Sequence, residues 1–177
     1  MPLYTRTGDE GITWCFFGEG KPVRVPKDHP VLEFYGALDE ANSFIGLARS
    51  SLASYGLEGE IDKALERLQR LLFNIGFSLT PRGRRVSEDD VEELEKLSDR
   101  FYGEPLRRFV LPYGSLKVSS LHVARSVLRR AERRLVTLKR EGYSVDPLLI
   151  KLLNRASDML FAAAIALARQ EGSISEV

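Results

Sequence analysis

A row of polar and basic side chains follows the fourth of the helices that the sequence predicts. His122, Arg125, Arg129 and Glu132, the polar stripe, are spaced three, four and three residues apart. Each lies one residue after a member of an apolar seam with the same spacing, so the stripe borders the core instead of facing away from it. The seam consists of Leu121, Ala124, Leu128, Ala131, Leu135 and Leu138. Guanidinium groups in that position need acceptors, and their planar fork suits phosphate or carboxylate oxygens. The spacing indicates either an anion site or an ordinary solvated face.

The N-terminal segment carries a second set of donors. Residues 5–13 read Thr-Arg-Thr-Gly-Asp-Glu-Gly-Ile-Thr, which combines hydroxyl groups, one arginine and two glycines. Glycines bring backbone N–H groups close to an anion, and the threonines and the arginine add further donors. The chain has neither a G-x-x-x-x-G-K-[ST] nor a G-x-G-x-x-G motif, so on spacing alone both an ordinary turn and a phosphate-binding loop remain open.

Acidic and amide side chains occupy two other predicted helices. Asp39 follows the core residue Leu38 by one position, where it could pair with an arginine of the polar stripe. Asn154 and Asp158 stand four residues apart on one helix face, where each is either a structural hydrogen-bonding group or part of a site. His122 by itself is interpreted as a hydrogen-bonded residue of the bundle.

The elements that must position these residues are helical. Apolar periodicity predicts a first helix from Tyr35 to before Gly56, and a second across residues 61–75 that breaks at residues 80–83. Ser87, Ser115 and Asp146-Pro147 are N-cap signals for three more helices, the fourth ending near Arg140 and the fifth near Gln170. We expect an all-α five-helix bundle in a single domain, residues 1–177. Within it, residues 1–34 form an irregular loop with a short hairpin around Gly18 to Gly20, and residues 35–170 form the bundle.

Composition limits the classes of function. The chain has 177 residues, 44% of them hydrophobic, with 26 basic against 25 acidic residues, a balance that argues against a nucleic-acid partner. Cys15 is the single cysteine, which excludes an internal disulfide framework and fits a reducing compartment. The apolar run Met159 to Ala168 is ten residues long, too short to span a bilayer. With no secretory signal visible, a soluble, cytoplasmic protein without a membrane partner is expected.

Three blocks of sequence, in order, resemble one family. The first comprises Tyr4-Thr-Arg-Thr-Gly-Asp-Glu-Gly11, Lys27-Asp28-His29 and Tyr35-Gly-Ala-Leu-Asp-Glu-Ala-Asn-Ser43. The second comprises Phe109-Val-Leu-Pro112, Leu121-His-Val-Ala-Arg125 and Arg129-Arg-Ala-Glu-Arg133, and the third is Asn154-Arg-Ala-Ser-Asp-Met-Leu-Phe161. Together they cover nearly the whole chain and are similar to the signatures of PduO-type ATP:cob(I)alamin adenosyltransferases.

The resemblance implies a homotrimeric five-helix bundle with ATP bound between subunits. Such an enzyme transfers the 5′-deoxyadenosyl group of ATP to the cobalt of reduced cobalamin, releases triphosphate and requires Mg²⁺. The residues implied to bind the nucleotide are Thr5, Arg6, Thr7, Gly8, Thr13, Trp14 and Lys27 from one chain and Arg129, Arg130, Ala131, Glu132, Arg133 and Asn154 from its neighbour. Glu132 is the implied Mg²⁺ ligand.

The resemblance also assigns the corrin side of the reaction. Asp39 matches an aspartate that pairs with the arginine matched by Arg125, and Phe109 matches an aromatic residue that displaces the lower axial ligand of cobalt. Asp39, Arg125, Phe109 and Arg129 are therefore the implied catalytic residues. A reductase that supplies the electron and an acceptor enzyme for adenosylcobalamin are the implied partners.

Two alternatives belong to other classes of protein. A nucleic-acid-binding bundle would use the arginines between Arg129 and Arg134, but no aromatic residues are interleaved with them. An ATP-binding regulatory or assembly module would keep the nucleotide site without the chemistry.

Overall fold

The computed structural model describes residues 4–18, 20–80, 83 and 85–177, and it confirms the all-α bundle. Two short strands, β1 (Ile12–Cys15) and β2 (Val23–Pro26), precede the helices. The helices of this part of the chain are α1 (Pro30–Arg49), α2 (Gly56–Phe77), α3 (Glu88–Tyr102), α4 (Leu116–Arg140) and α5 (Pro147–Glu171). Glu19 of the predicted hairpin turn, and Pro81 and Arg82 of the predicted break after the second helix, lie outside the described residues.

The predicted hairpin forms within the N-terminal segment. Strands β1 and β2 pair antiparallel, with Thr13 opposite Val25 and Cys15 opposite Val23. Cys15 and Val25 are buried, whereas Trp14 is 55% exposed, as expected when successive side chains of a strand point to opposite faces. The hairpin therefore packs Cys15 and Val25 against the bundle and leaves Trp14 largely exposed on its other face.

The first helix begins at Pro30, so the predicted boundary between residues 34 and 35 is wrong. His29 is the N-cap: its Nδ1 accepts a hydrogen bond of 3.3 Å from the Val31 amide. Pro30 takes the first helical position, where its missing N–H costs nothing. The His29 ring also stacks on Phe17, with centroids 5.5 Å apart, and its Nε2 lies 3.3 Å from Oη of Tyr143. Long-range contacts of this kind leave no mark in local periodicity.

The core lies where the seam of the fourth helix meets its neighbours. Helix α4 packs between α1 and α5, and α3 packs on the far side of α5. The seam residues are at most 1% exposed; they are Leu121, Ala124, Leu128, Ala131, Leu135 and Leu138. With the seam buried, the polar stripe one residue along comes to lie at the margin of the core, as predicted.

The helix starts follow the predicted caps with one difference. In α3 the Asp90 carboxylate accepts from the Ser87 amide at 2.8 Å, and in α5 the Asp146 carboxylate accepts from the Leu148 amide at 2.9 Å. Ser115 does precede α4, but its hydroxyl donates to Glu171 at 2.8 Å and does not cap the helix. This bond ties the start of α4 to the end of α5. None of the helices in the described ranges is long and apolar enough to cross a membrane.

Candidate active site

The N-terminal loop forms a compact turn lined with donors. The hydroxyl oxygens of Thr5 and Thr7 lie 2.9 Å apart, and the Arg24 guanidinium donates to the Thr7 carbonyl at 3.2 Å. Arg6 between them has a positive φ of 58°, a conformation that costs free energy in a non-glycine residue and is often kept at functional sites. The loop therefore holds an exposed arginine and two hydroxyl groups in a fixed arrangement.

Lys27 closes this turn from the end of β2. Its amide donates to the Gly11 carbonyl at 2.8 Å, and the Gly11 amide donates to the Gly8 carbonyl at 3.2 Å. A Cβ atom added at Gly8 would lie 3.3 Å from both Cε and Nζ of Lys27, so the absence of a side chain at Gly8 lets the ammonium group lie against the loop. We call Thr5, Arg6, Thr7, Gly8 and Lys27 the loop cradle. Its charge and its donors suit an anionic ligand.

A groove of about 370 Å³ opens beside the hairpin, between β1, α1 and α2. Asp39 lines it together with Trp14 and other aromatic residues. Nearby, Oδ1 of Asn42 is buried without a hydrogen-bond partner among the described residues. We call this the α1–α2 groove. It combines an exposed carboxylate, an open aromatic face and an unsatisfied buried acceptor, which is typical of a surface that another group covers.

The polar stripe opens on a different face. A cleft of about 420 Å³ is lined by Arg125 and Arg129 from α4, by Asp158 and Phe161 from α5, and by Phe109 from the connection between α3 and α4. We call it the arginine cleft. Phe109 is 87% exposed, which is unusual for a phenylalanine and places an open aromatic face at the mouth of the cleft.

Arg125 sits deeper in the cleft than Arg129. Its guanidinium lies over the Phe161 ring, 5.6 Å from the centroid, and its Nε is buried with no hydrogen-bond partner in the part of the chain that the structure describes. Burial, and then the charge of Arg129, lower the pKa of Arg125, which remains cationic. A desolvated cation without a full set of acceptors is costly, so Arg125 is prepared to receive a carboxylate or a phosphate.

His122 is buried below the same aromatic ring. It is 4% exposed, and its ring packs edge-on against Phe161 with centroids 6.2 Å apart. Its Nδ1 has no partner among the described residues. Burial, and then the charge of Arg125, lower its pKa, so the imidazole is neutral in the folded protein at neutral pH.

The buried state of His122 gives the protein a predictable acid response. As the pH falls below about 6.5, the unfolded chain binds a proton at His122 that the folded chain excludes, so the free energy of unfolding decreases. We expect His122→Gln to reduce the loss of stability between about pH 7 and pH 5, measured by denaturant unfolding at each pH. Ser120→Ala, another substitution of a buried polar residue, is the control and should keep the wild-type slope. An unchanged slope in His122→Gln would contradict the assignment.

The segment that carries Phe109 is tied down on both sides. The Leu111 amide donates to the Ser175 carbonyl and the Val177 amide donates to the Phe109 carbonyl, both at 2.9 Å, so residues 109–111 pair with the end of the chain. Gly114 has a φ of 151°, and a Cβ atom there would lie 2.8 Å from Val118 Cγ1. Only glycine fits at that point, which fixes the entry into α4. Phe109 therefore projects from a rigid base.

The other predicted site residues have different surroundings. Arg130 forms an ion pair with Glu40 of α1, and Oδ1 of Asn154 accepts from the Arg155 guanidinium at 2.7 Å. Glu132 is half-buried and Arg133 is exposed. Ala131, which the resemblance assigns to the nucleotide, is fully buried in the core of this chain. Searched within the described ranges, no cluster of three or more His, Cys, Asp or Glu side chains forms a metal site.

The two sets of predicted residues lie on separate surfaces. The loop cradle and Asp39 belong to the hairpin and the α1–α2 groove, whereas Arg125, Arg129 and Phe109 belong to the arginine cleft, and the two cavities share no lining residue. No ion pair or hydrogen bond among the described residues joins Asp39 to an arginine. The expected pairing of Asp39 with Arg125 therefore does not form between the described residues of one chain.

The structure adds Phe161 and Arg108, which the sequence had not assigned to a site, and Asp158, for which it had left both a structural role and a site role open. All three line the arginine cleft. Asp158 and Phe161 belong to the same sequence block as Asn154, and Arg108 directly precedes Phe109. Their position within or next to the sequence blocks that resemble the family could have indicated a site. Only the packing of α4 on α5 brings them to one cleft.

Comparisons with known proteins agree on one family. The family model for cobalamin adenosyltransferase matches residues 3–167. A corrinoid adenosyltransferase from Bacillus subtilis is 39% identical over 170 residues, which cover 93% of this chain and 85% of that protein. The mouse corrinoid adenosyltransferase MMAB is 38% identical, covering 99% of this chain and 76% of the relative. PduO of Salmonella typhimurium is 40% identical, and this chain spans about half (49%) of its length.

Solved structures show the same relationship. A phenylalanine-to-histidine variant of the PduO-type ATP:corrinoid adenosyltransferase from Lactobacillus reuteri, complexed with cobalamin and ATP, superimposes with a TM-score of 0.85 at 30% identity. The match covers 99% of this chain and 95% of that one. An arginine-to-lysine variant of the same enzyme, complexed with ATP, gives a TM-score of 0.83 at 31% identity and covers 99% and 98% of the two chains.

Proposed function

The chain belongs to the cobalamin adenosyltransferase family, and from this premise we propose how its two half-sites carry out the reaction. The enzyme transfers the 5′-deoxyadenosyl group of ATP to the cobalt of cob(I)alamin and gives adenosylcobalamin and triphosphate. The observation that carries the proposal is the arginine cleft, in which two guanidinium groups without an ion-pair partner among the described residues lie beside an exposed phenylalanine on a rigid segment.

The adenosyl transfer requires the protein to position the two substrates and to stabilise the charge of the leaving group. The electron pair of Co(I) attacks C5′ of ATP, the C5′–O bond breaks, and its electrons leave with the triphosphate as the cobalt becomes Co(III). The nucleophile is the substrate itself, so the protein need not supply one. What remains is to hold C5′ in line with cobalt, to neutralise the leaving group and to keep water from the metal.

The loop cradle binds the nucleotide from one side. Its ammonium and guanidinium groups, with the hydroxyls of Thr5 and Thr7, face solvent as an anion-binding surface. Thr13 and Trp14 follow on β1, and the exposed Trp14 ring offers an apolar contact for the nucleoside. These residues position ATP without taking part in bond breaking.

The polar stripe binds the triphosphate from the other side. Arg129 is exposed at the cleft mouth and forms no ion pair within the described ranges, so its fork is available to phosphate oxygens. Arg133 lies four residues further along the same helix, and Asn154 adds an amide from α5. Arg130 forms an ion pair with Glu40, so its attraction for the triphosphate is weaker than that of Arg129.

The two half-sites require a neighbouring subunit. We propose a homotrimer in which the loop cradle of one chain faces the polar stripe of the next, so that ATP lies between them. In that arrangement Asp39 of the α1–α2 groove supplies a carboxylate acceptor for the Arg125 Nε, which has no hydrogen-bond partner among the described residues of its own chain. The separation of the cavities on one chain and the unsatisfied Arg125 Nε support this assembly.

Glu132 of the polar stripe is a candidate carboxylate for a divalent cation. Glu132 is half-buried, lies next to the arginines of the stripe and has no ion-pair partner in the described part of the chain. Mg²⁺ is usually held by one or two carboxylates together with phosphate oxygens and water, so one glutamate beside a triphosphate fits it. Glu132 would hold Mg²⁺ beside the stripe, and the bound ion would supply positive charge that neutralises the leaving group.

Phe109 defines the corrin side. An exposed aromatic ring on a rigid base can occupy the lower face of the corrin and exclude the lower axial ligand. Losing that ligand makes Co(II) easier to reduce to Co(I). We propose that a reductase provides the electron, that an adenosylcobalamin-dependent enzyme receives the product, and that the reaction takes place in the reducing cytoplasm.

An anaerobic assay with ATP, Mg²⁺ and chemically reduced cobalamin tests the reaction as a whole. The expected result is the absorption spectrum of an alkyl-cobalt corrinoid, formed together with one triphosphate per turnover. ATP binding without triphosphate release would instead identify a nucleotide-binding module that lacks the chemistry.

A further inference from the structure

Two arginines next to Phe109 have no function in the reaction described above. Arg107 and Arg108 are exposed, and neither forms an ion pair or a side-chain hydrogen bond among the described residues. Arg108 lines the arginine cleft at its mouth. The next residue is Phe109, which is 87% exposed, so residues 107–109 carry two positive charges and one aromatic ring, all of them exposed.

The segment that carries these arginines is ordered at both ends. The Leu106 amide donates to the Tyr102 hydroxyl at 3.2 Å, and the Arg169 guanidinium donates to the carbonyls of Tyr102 and Glu104. On the other side, residues 109–111 pair with the end of the chain. Two guanidinium groups on a fixed backbone, without carboxylate partners, are suited to binding an anion with planar or tetrahedral oxygens.

We propose that Arg107 and Arg108 bind the phosphodiester of the nucleotide loop of the corrinoid substrate. The corrin periphery of cobalamin carries neutral amides, and the phosphodiester of the nucleotide loop is its anionic group. When the lower base dissociates from cobalt, the nucleotide loop that carries the base must move away from the lower face of the corrin ring. This movement takes it past Phe109. C5′ of ATP reacts on the opposite face of the ring, so the triphosphate leaves on the side away from Phe109.

This inference rests on the proposed placement of Phe109 below the corrin, and it makes the two arginines determinants of corrinoid specificity. They would favour corrinoids that carry a phosphate and would hold the displaced base away from cobalt. Because both side chains are exposed, the contribution of each is modest and sensitive to salt.

The test compares three reduced corrinoids: cobalamin, cobinamide phosphate, which has the phosphate without the base, and cobinamide, which has neither. In the wild-type enzyme we expect a lower KM for the first two than for cobinamide, with the difference shrinking as salt rises from about 0.05 to about 0.5 M. In Arg107→Ala/Arg108→Ala, KM for the two phosphate-bearing corrinoids should rise about tenfold. KM for cobinamide, KM for ATP and kcat should stay unchanged.

Lys139→Ala/Arg140→Ala is the matched control, since it removes two exposed positive charges at the far end of α4 and should behave as wild type. Equal losses with all three corrinoids, a raised KM for ATP, a changed oligomeric state, or no change in the double variant would each overturn the inference. So would a wild-type enzyme that does not distinguish cobinamide phosphate from cobinamide. In all of these cases the adenosyl transfer persists. Failure of the transfer itself with every corrinoid would contradict the proposed function instead.

Discussion

Phe109→Ala is expected to abolish most turnover when the reaction starts from Co(II), while ATP affinity remains nearly unchanged. The ring is 87% exposed and contributes little to the packing of the monomer, so its removal should leave the fold intact. Without the ring, the lower axial ligand stays on cobalt and Co(II) remains difficult to reduce. Starting from Co(I), prepared in advance, should restore much of the rate, because the reduction step is bypassed.

A pair of assays on the same variant separates this function from a packing role. Turnover is measured from Co(II) with a reductant and from pre-reduced Co(I), and spectroscopy of bound Co(II) counts the four-coordinate fraction. Tyr55→Ala is the control, because Tyr55 is 80% exposed and lines neither cavity. Equal losses from both starting states, or an unchanged four-coordinate fraction, would mean that Phe109 serves only the structure.

Arg129→Ala is expected to lower kcat/KM for ATP by roughly ten- to a hundredfold, which corresponds to a lost charge-assisted contact of about 1.5–3 kcal/mol. Arg129 lies on the polar stripe beside Arg125, where we propose that the leaving triphosphate binds. Arg129→Lys keeps the charge but loses the planar fork, so it should recover only part of the activity.

Arg134→Ala provides the matched control for this prediction. Arg134 lies on the same helix but pairs with Glu33 at 3.6 Å and lines neither cavity. Steady-state kinetics over a range of ATP concentrations should place it near the wild type. Near-normal kinetics in Arg129→Ala would remove that arginine from the site.

Local sequence patterns were sufficient to predict the five helices and the position of the polar stripe at the margin of the core. The three- and four-residue spacing of the α4 seam places Leu121 and Leu128 in the core, and this alone locates Arg125 and Arg129 at its margin. The start of α1 was missed because its cap is a histidine, an uncommon N-cap residue that Phe17 and Tyr143 hold in place.

Contacts between distant segments account for what the sequence did not reveal. The pairing of Phe109 with Val177 joins residues that are far apart in the chain and follows no periodic pattern. The resemblance assigned Ala131 to the nucleotide from its block, although the seam spacing had already placed it in the core. The resemblance also paired Asp39 with Arg125, and the packing of α1 and α4 puts the two side chains in different cavities of one chain.

We propose that one active site takes its loop cradle and its polar stripe from two chains. Co-expression of an Arg6→Ala chain and an Arg129→Ala chain with different affinity tags, followed by purification through both tags, tests it directly. Each variant alone should be nearly inactive. In a cyclic trimer of mixed composition one interface of three combines an intact cradle with an intact stripe, so we predict about one third of the wild-type activity. Activity no higher than that of the single variants, in purified mixed trimers, would contradict the account and place the whole site within one chain.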